Sequence, residues 1–288
     1  MKIGISSYSY ESYRSKTGAD CFDIAKIAKQ QGFDGVEFLP FDKRPEDATL
    51  LDTAKALRAH CEALGIEICA YTVKGDFLNG IGVPPAEEAR RVKGCVDICR
   101  ALGARVMRHD IAWRLLEGVR SWREAIPRVA PEIREVAAYA QGLGIRTCTE
   151  NHGYLFQDAE RVESLICAVD HPNFGWLVDI GNFACVDERS DRAVGIAAPY
   201  AFHVHAKDFL IKSGDATDPG QGWFRSRGGN YLRGTVVGHG QIPIRPCVDI
   251  LKRAGYDGFI SLEFEGMEDN LEATQAGLSF LRRIVAGE

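Results

Sequence analysis

A single closed (β/α)8 TIM barrel of the α/β class is the fold this sequence predicts, and three observations predict it. One kind of junction recurs, in which a helical stretch ends on glycine and an apolar, strand-forming run follows at once. It appears in Gln31-Gly-Phe-Asp-Gly-Val-Glu37, Leu64-Gly-Ile-Glu-Ile68, Leu102-Gly-Ala-Arg-Val106, Leu143-Gly-Ile-Arg-Thr147 and Ala254-Gly-Tyr-Asp-Gly-Phe259. Glycine is the usual left-handed cap at a helix C-terminus. Gly32, Gly65, Gly103 and Gly144 are spaced by 33, 38 and 41 residues, the span of one strand-plus-helix unit. Eight strand-like runs alternate with helical ones, and no linker-like shift in composition divides the 288 residues. One barrel domain, residues 1–288, is expected.

The elements follow in order. Strands are expected near 2–6, 34–38, 66–71, 104–108, 145–150, 174–179, 201–207 and 259–264. Helical spacing of apolar residues marks Cys21–Lys29, Leu50–Leu57, Ala86–Leu102 and Pro131–Leu143. Pro85 and Pro131 are read as first-turn residues, where a missing N–H costs little. Strand side chains alternate, so His203, His205 and Lys207 share one face and Phe202, Val204 and Ala206 the other. The polar set is expected inside the barrel and the apolar set against the helices. Glu150, Asp179, Ser261, Glu263 and Glu265 are expected inward by the same rule. After the seventh strand the rhythm breaks. Residues 208–257 are too many for a short loop and a helix, and Lys212–Asn230 carries five glycines and no period. A long insertion placed there lies on the face where barrel active sites are built, and is expected to cover a substrate.

Composition excludes several functions. The formal net charge of −5 gives no basic footprint for nucleic acid. No stretch of about 18 apolar residues is free of charge, so no membrane span is expected. Met1-Lys-Ile-Gly-Ile-Ser6 reads as a strand, not a signal peptide. Nine cysteines lie mostly in apolar segments, and Cys95 and Cys99 are one helical turn apart, unlike a zinc pair. Core thiols in a reducing, cytoplasmic setting are expected.

Four strand ends carry the chemistry: Glu150, Asp179, His205 and Glu263. Carboxylates buried together repel, at a cost of several kcal/mol by rough figures for buried ions, unless a cation neutralises them. Three carboxylates and one imidazole suit one divalent ion, with manganese first and magnesium, cobalt or zinc as the other candidates.

These residues sit in Thr149-Glu-Asn-His152, Val178-Asp-Ile-Gly-Asn182, His203-Val-His-Ala-Lys-Asp208, Gly238-His-Gly240 and Ser261-Leu-Glu-Phe-Glu265. With them the whole chain resembles the xylose isomerase-like TIM-barrel superfamily of ketose 3-epimerases, hydroxypyruvate isomerase, inosose dehydratase and, more distantly, endonuclease IV. The resemblance implies Glu150, Asp179, His205 and Glu263 as ligands of one divalent metal; Glu265 is an alternative to Glu263. It also implies a metal-dependent isomerase or epimerase of a sugar, keto-sugar or sugar acid. Glu150 and Glu263 would then be the acid/base pair around a metal-stabilised enediolate. A dehydratase of a keto-sugar or keto-inositol, and a non-catalytic sugar-binding barrel, are the alternatives. The partner implied is a small carbohydrate, with no nucleic acid and no membrane, and relatives often form homo-oligomers. His152, Lys207, His109, Arg108, Glu37 and Asn182 are candidate substrate contacts, Trp113 a candidate pocket wall, and His203 a support for His205. The sequence departs from the 3-epimerases at Asn182, where they carry His, and at Ile211, where they carry Arg. Lys207, Lys212, Arg225, Arg227 and Arg233 are the candidates to replace that arginine.

Overall fold

The computed structural model describes all 288 residues. The first half of the chain runs β1 (Lys2–Ser6), α1 (Glu11–Thr17), α2 (Cys21–Gln31), β2 (Gly35–Phe38), α3 (Leu50–Leu64), β3 (Glu67–Val73), α4 (Pro85–Leu102), β4 (Val106–His109) and α5 (Trp122–Gly142). It continues through β5 (Arg146–Glu150), α6 (Ala159–Val169), β6 (Phe174–Asp179), α7 (Ser190–Ala197) and β7 (Ala201–Ala206). Then come β8 (Asp208–Lys212), β9 (Phe224–Arg225), β10 (Tyr231–Thr235), α8 (Ile244–Arg253), β11 (Phe259–Leu262) and α9 (Asn270–Ala286). Eight strands close a parallel barrel in the order β1-β11-β7-β6-β5-β4-β3-β2.

The glycine junctions behave as their chemistry requires. Gly32, Gly65 and Gly103 cap α2, α3 and α4 with φ of 95°, 67° and 79°. Asp20 and Thr49 close the other ends of α2 and α3 as capping boxes with Asp23 and Asp52. A core of 72 buried residues fills the space between barrel and helices. Inside the barrel, Ala70, Val106, Cys148 and Leu177 form a layer contributed by β3 to β6.

Three expectations are corrected. Pro131 lies inside α5, which begins at Trp122 and also contains Pro127. Each proline removes one helical hydrogen bond, but the buried stripe Ile126, Val129, Ala130, Ile133, Val136, Ala137 and Ala140 holds the helix together. Phe202 does not face the helices. The β6–β7 register slips between Trp176↔Ala201 and Leu177↔His203, and this bulge turns the Phe202 ring in against the interior layer. The insertion is not one irregular loop. β8, β10 and β9 form a three-stranded antiparallel sheet, with β10 in register along all of β8. That pairing joins residues 19 to 27 apart, from Tyr231↔Lys212 to Thr235↔Asp208, which a local reading of periodicity cannot see.

The sheet is tied down at both ends. Asp208 accepts hydrogen bonds from the backbone N–H groups of Phe209, Gly238, Gly240 and Ile242, at 2.9 to 3.1 Å. A side chain at Gly240 would come 2.1 Å from the same carboxylate, so only glycine permits the approach. At the tip, Asp187 accepts from Ser226 Oγ (2.7 Å) and Asn230 Nδ2 (2.8 Å), and Arg227 bonds to Asp158. Asp208→Asn turns one buried acceptor into a donor facing N–H groups. A loss of about 1–3 kcal/mol is expected in urea unfolding, the usual penalty for a buried unsatisfied group; an unchanged midpoint would refute the anchoring role.

Candidate metal centre

Each site residue stands at the C-terminal end of a barrel strand. Glu150 ends β5, Asp179 ends β6, His205 lies near the end of β7, and Glu263 follows β11, where its N–H still bonds to Ala206 O at 3.0 Å. Asn151 joins the first two strand ends. Its Oδ1 accepts from Asp179 N (2.9 Å) and Trp176 Nε1 (3.1 Å), and its Nδ2 donates to Asp179 O (2.9 Å). The next turn fixes the Asp179 side chain, whose Oδ1 accepts from Gly181 N (2.8 Å) and Asn182 N (3.1 Å). Gly181 is needed here, since a Cβ would meet Lys207 O at 2.7 Å.

The four side chains converge. One ligand atom from each of Glu150, Asp179, His205 and Glu263 lies within 4.8 Å of the others, all in buried residues. His205 Nδ1 is 3.6 Å from Glu263 Oε2, 3.8 Å from Glu150 Oε1 and 4.0 Å from Asp179 Oδ2. His205 Nδ1 and Asp179 Oδ2 are buried and complete no hydrogen bond, the latter with only the Lys207 ammonium 3.2 Å away. Two such atoms facing each other among three carboxylates are what a divalent cation would satisfy, so the donor set fits one. Glu265 is outside the cluster, half-exposed at the mouth beside Lys207.

His205 is held from beneath. Its Nε2 donates to Glu37 Oε2 at 2.8 Å, which leaves Nδ1 turned toward the carboxylates. His203 Nε2 lies 3.1 Å from the same oxygen and 2.9 Å from Ser261 Oγ, and Thr72 Oγ1 donates to Glu37 Oε1 at 2.6 Å. Burial opposes charge on Glu37, yet the His205 charge and both imidazole hydrogen bonds hold it well below the usual carboxylate range. Glu37 is therefore corrected from a substrate contact to a buried support, because histidines and threonine occupy both its oxygens. His109 is corrected too. It faces out of the barrel, with Phe77 at 5.4 Å and Phe174 at 5.8 Å, because alternation on β4 sends Arg108 inward and its neighbour outward.

The remaining candidates do gather at the centre. Arg108 Nη2 is 2.8 Å from Glu150 Oε2 and 2.5 Å from Asp110 Oδ1. Asn182 Nδ2 donates to Glu150 Oε1 at 2.9 Å. Lys207 Nζ lies 2.7 Å from Glu263 Oε2 and 3.2 Å from both Asp179 Oδ2 and Asn182 Oδ1. His152 Nδ1 is 3.1 Å from Asp110 Oδ1, and the partly exposed Trp113 meets the imidazole edge-on at 4.9 Å. Burial disfavours charge on His152, but the Asp110 hydrogen bond and the Glu150 charge raise its pKa above the ordinary value. Asp110 was not among the sequence candidates. Of the cations offered for the missing arginine, Lys207 alone reaches the cluster; Lys212 and Arg233 lie over Trp223, Arg225 lies over Tyr231, and Arg227 holds Asp158. A cavity of about 520 Å³ opens at the opposite, N-terminal mouth, lined by Arg58, Arg105, Arg146, Phe202 and Phe259; it contains none of the four cluster residues.

The profile of the xylose isomerase-like TIM barrel family matches residues 25–284. The chain belongs to that family. No curated protein matches it in sequence. Among solved structures, the barrel is similar to D-psicose 3-epimerase from Clostridium cellulolyticum H10, crystallised with D-tagatose, with a TM-score of 0.75, 18% identity and 99% of both chains covered. It is similar to the IolI protein with a bound zinc atom, at TM-score 0.75 and 19% identity over 100% of this chain and 99% of that one. It also resembles AsbF from Bacillus anthracis, described as a probable 3-DHS dehydratase, at TM-score 0.74 and 16% identity over 98% of this chain and 99% of that one. At these identities the likeness shows the fold. No helix of this family member is long and apolar enough to cross a membrane.

His109 gives a pH prediction apart from the centre. Burial lowers its pKa from 6.5 to about 4, so the unfolded chain binds a proton that the folded chain refuses. Stability is therefore full above the unfolded value and falls as pH drops from about 6.5 toward 4, by about 3 kcal/mol in all. Urea unfolding of His109→Gln across that range is expected to show a shallower slope than wild type; equal slopes would contradict the assignment.

Proposed function

We propose that the protein is a divalent-metal-dependent isomerase or epimerase of a sugar, keto-sugar or sugar acid. The observation that carries this reading is the convergence of three carboxylates and one imidazole on a point where His205 Nδ1 and Asp179 Oδ2 lack hydrogen bonds. Glu150, Asp179, His205 and Glu263 would hold the ion, manganese first. When bound, it supplies Lewis acidity to a carbonyl and the adjacent hydroxyl of the substrate, and so favours an enediolate.

The chain's own residues do the rest. Glu150 and Glu263 enter from β5 and β11, with β6 and β7 between them. In this reading one takes the proton from the carbon beside the carbonyl and the other returns it, which suits a small carbohydrate lying across the barrel axis. Arg108 orients Glu150 through the contact given above, on the oxygen that faces away from His205 Nδ1. Asn182 donates to Glu150 Oε1 and steadies the same carboxylate.

One observation supports a dehydratase as second reading. Asp110 holds His152 by Nδ1 and favours its charged form, which leaves Nε2 as a proton source for a departing hydroxyl. A panel of ketoses and keto-sugars with Mn²⁺ or Co²⁺ in D₂O separates the two. Deuterium on carbon without loss of water is expected for the isomerase. An absorbing enone product would favour the dehydratase, and neither outcome with a loaded metal would leave only sugar binding.

A further inference from the structure

The two cations among the site carboxylates hold different kinds of oxygen. Arg108 Nη2 sits 2.8 Å from Glu150 Oε2, while the Glu150 oxygen that faces His205 Nδ1 is Oε1. The ligand-side oxygen thus carries no competing cation and accepts only from the neutral Asn182 amide. Lys207 does the opposite. Its Nζ touches Glu263 Oε2 and Asp179 Oδ2, and these are the oxygens that face His205 Nδ1. An ion held by these residues and the Lys207 ammonium compete for the same lone pairs.

Lys207 also has somewhere to go. Glu265 Oε2 lies 3.3 Å from Nζ, on a carboxylate that is 38% exposed and belongs to none of the ligand positions. Tyr8 Oη donates to the other Glu265 oxygen at 3.2 Å and steadies it at the mouth. The Lys207 backbone is packed closely against Gly181, where an added Cβ would come 2.7 Å from the Lys207 carbonyl oxygen. The flexible side chain is the part free to move.

We propose that Lys207 is a movable counter-ion. It neutralises Asp179 and Glu263 while no ion is held, and it passes to Glu265 when one arrives, so that its ammonium then faces the substrate. This inference rests on the metal-centre reading above. It makes metal affinity depend on two residues that are not ligands, and it orders binding, with metal ahead of substrate.

Calorimetric titration of Mn²⁺ into the full chain tests it, using wild type, Lys207→Met, Glu265→Gln and the double variant, each checked by circular dichroism melting. Lys207→Met is expected to bind Mn²⁺ on the order of tenfold more tightly, and Glu265→Gln about tenfold more weakly, as coupled neighbours do. In the Lys207→Met background, Glu265→Gln should change affinity by less than about twofold, because no ammonium remains to be received. Lys207→Gln replaces Lys207→Met if the methionine variant does not fold. Unchanged or weaker binding on loss of Lys207, or an equal Glu265→Gln effect in both backgrounds, overturns the counter-ion and leaves the metal centre standing. Wild type that takes up no more Mn²⁺ than Asp179→Asn overturns both.

Discussion

Glu37→Ala is expected to lower the stability of the metal-free protein by about 3–5 kcal/mol, the range found when one partner of a buried charge pair is removed. Glu37 is fully buried, and His205, His203 and Thr72 all bond to or lie against its two oxygens. Removing the carboxylate leaves two imidazoles facing a small void, with no group to choose the nitrogen that His205 protonates. Metal affinity should fall as well, by about 10–100-fold, as for other outer partners of metal-bound histidines. Urea unfolding and Mn²⁺ titration measure the two effects separately. Glu37→Gln keeps the volume and one acceptor, so it should recover part of both. A stability loss below about 1 kcal/mol for Glu37→Ala would mean that the histidines do not depend on it.

Glu263→Gln and Glu150→Gln are each expected to lower solvent-deuterium exchange into substrate by about 10²–10⁴-fold, the usual contribution of a placed proton-transfer group. The two should not behave alike in other respects. Glu263 is paired with Lys207, a flexible ammonium that the surrounding carboxylates hold in its charged form and that keeps Asp179 and Glu265 as partners when Glu263 is made neutral; Lys207 with His205 holds the Glu263 carboxyl well below the usual range despite burial. Glu150 is paired with Arg108, which stays charged, so Glu150→Gln places an amide against a buried guanidinium and should also lower the melting temperature. Wild-type exchange rates in either variant, measured with Mn²⁺ loaded, would exclude the two-carboxylate mechanism.

Much of the fold is legible in the chain where the physics is local. Helix-ending glycines and strand alternation are properties of a few adjacent residues, and they suffice to mark eight strands and to turn Glu150, Asp179, His205 and Glu263 toward one axis. Their convergence then follows from barrel closure alone. What stayed hidden depends on pairings distant in sequence. Glu37 reads as a substrate contact because nothing near it reveals that two histidines from β7 cover it. Asp110 lies just past a strand, where alternation no longer constrains a side chain, and its role emerges only beside Arg108 and His152. The Phe202 bulge and the β8–β10 pairing are register effects, invisible without the partner strand. His109 was misplaced for a simpler reason, since alternation forbids it to share the interior with Arg108.

The ring closes between β1 and β11, the first and last strands in the chain. Glu37 is supplied by the second strand and Glu263 by the residue after the last, and His205 stands between them with a contact to each. The proposed ion site therefore needs both ends of the chain. A chain still emerging from the ribosome, up to β7, would own three of the four donors and lack the fourth, so tight metal uptake should report completion of the barrel, and an ion could not template its early assembly.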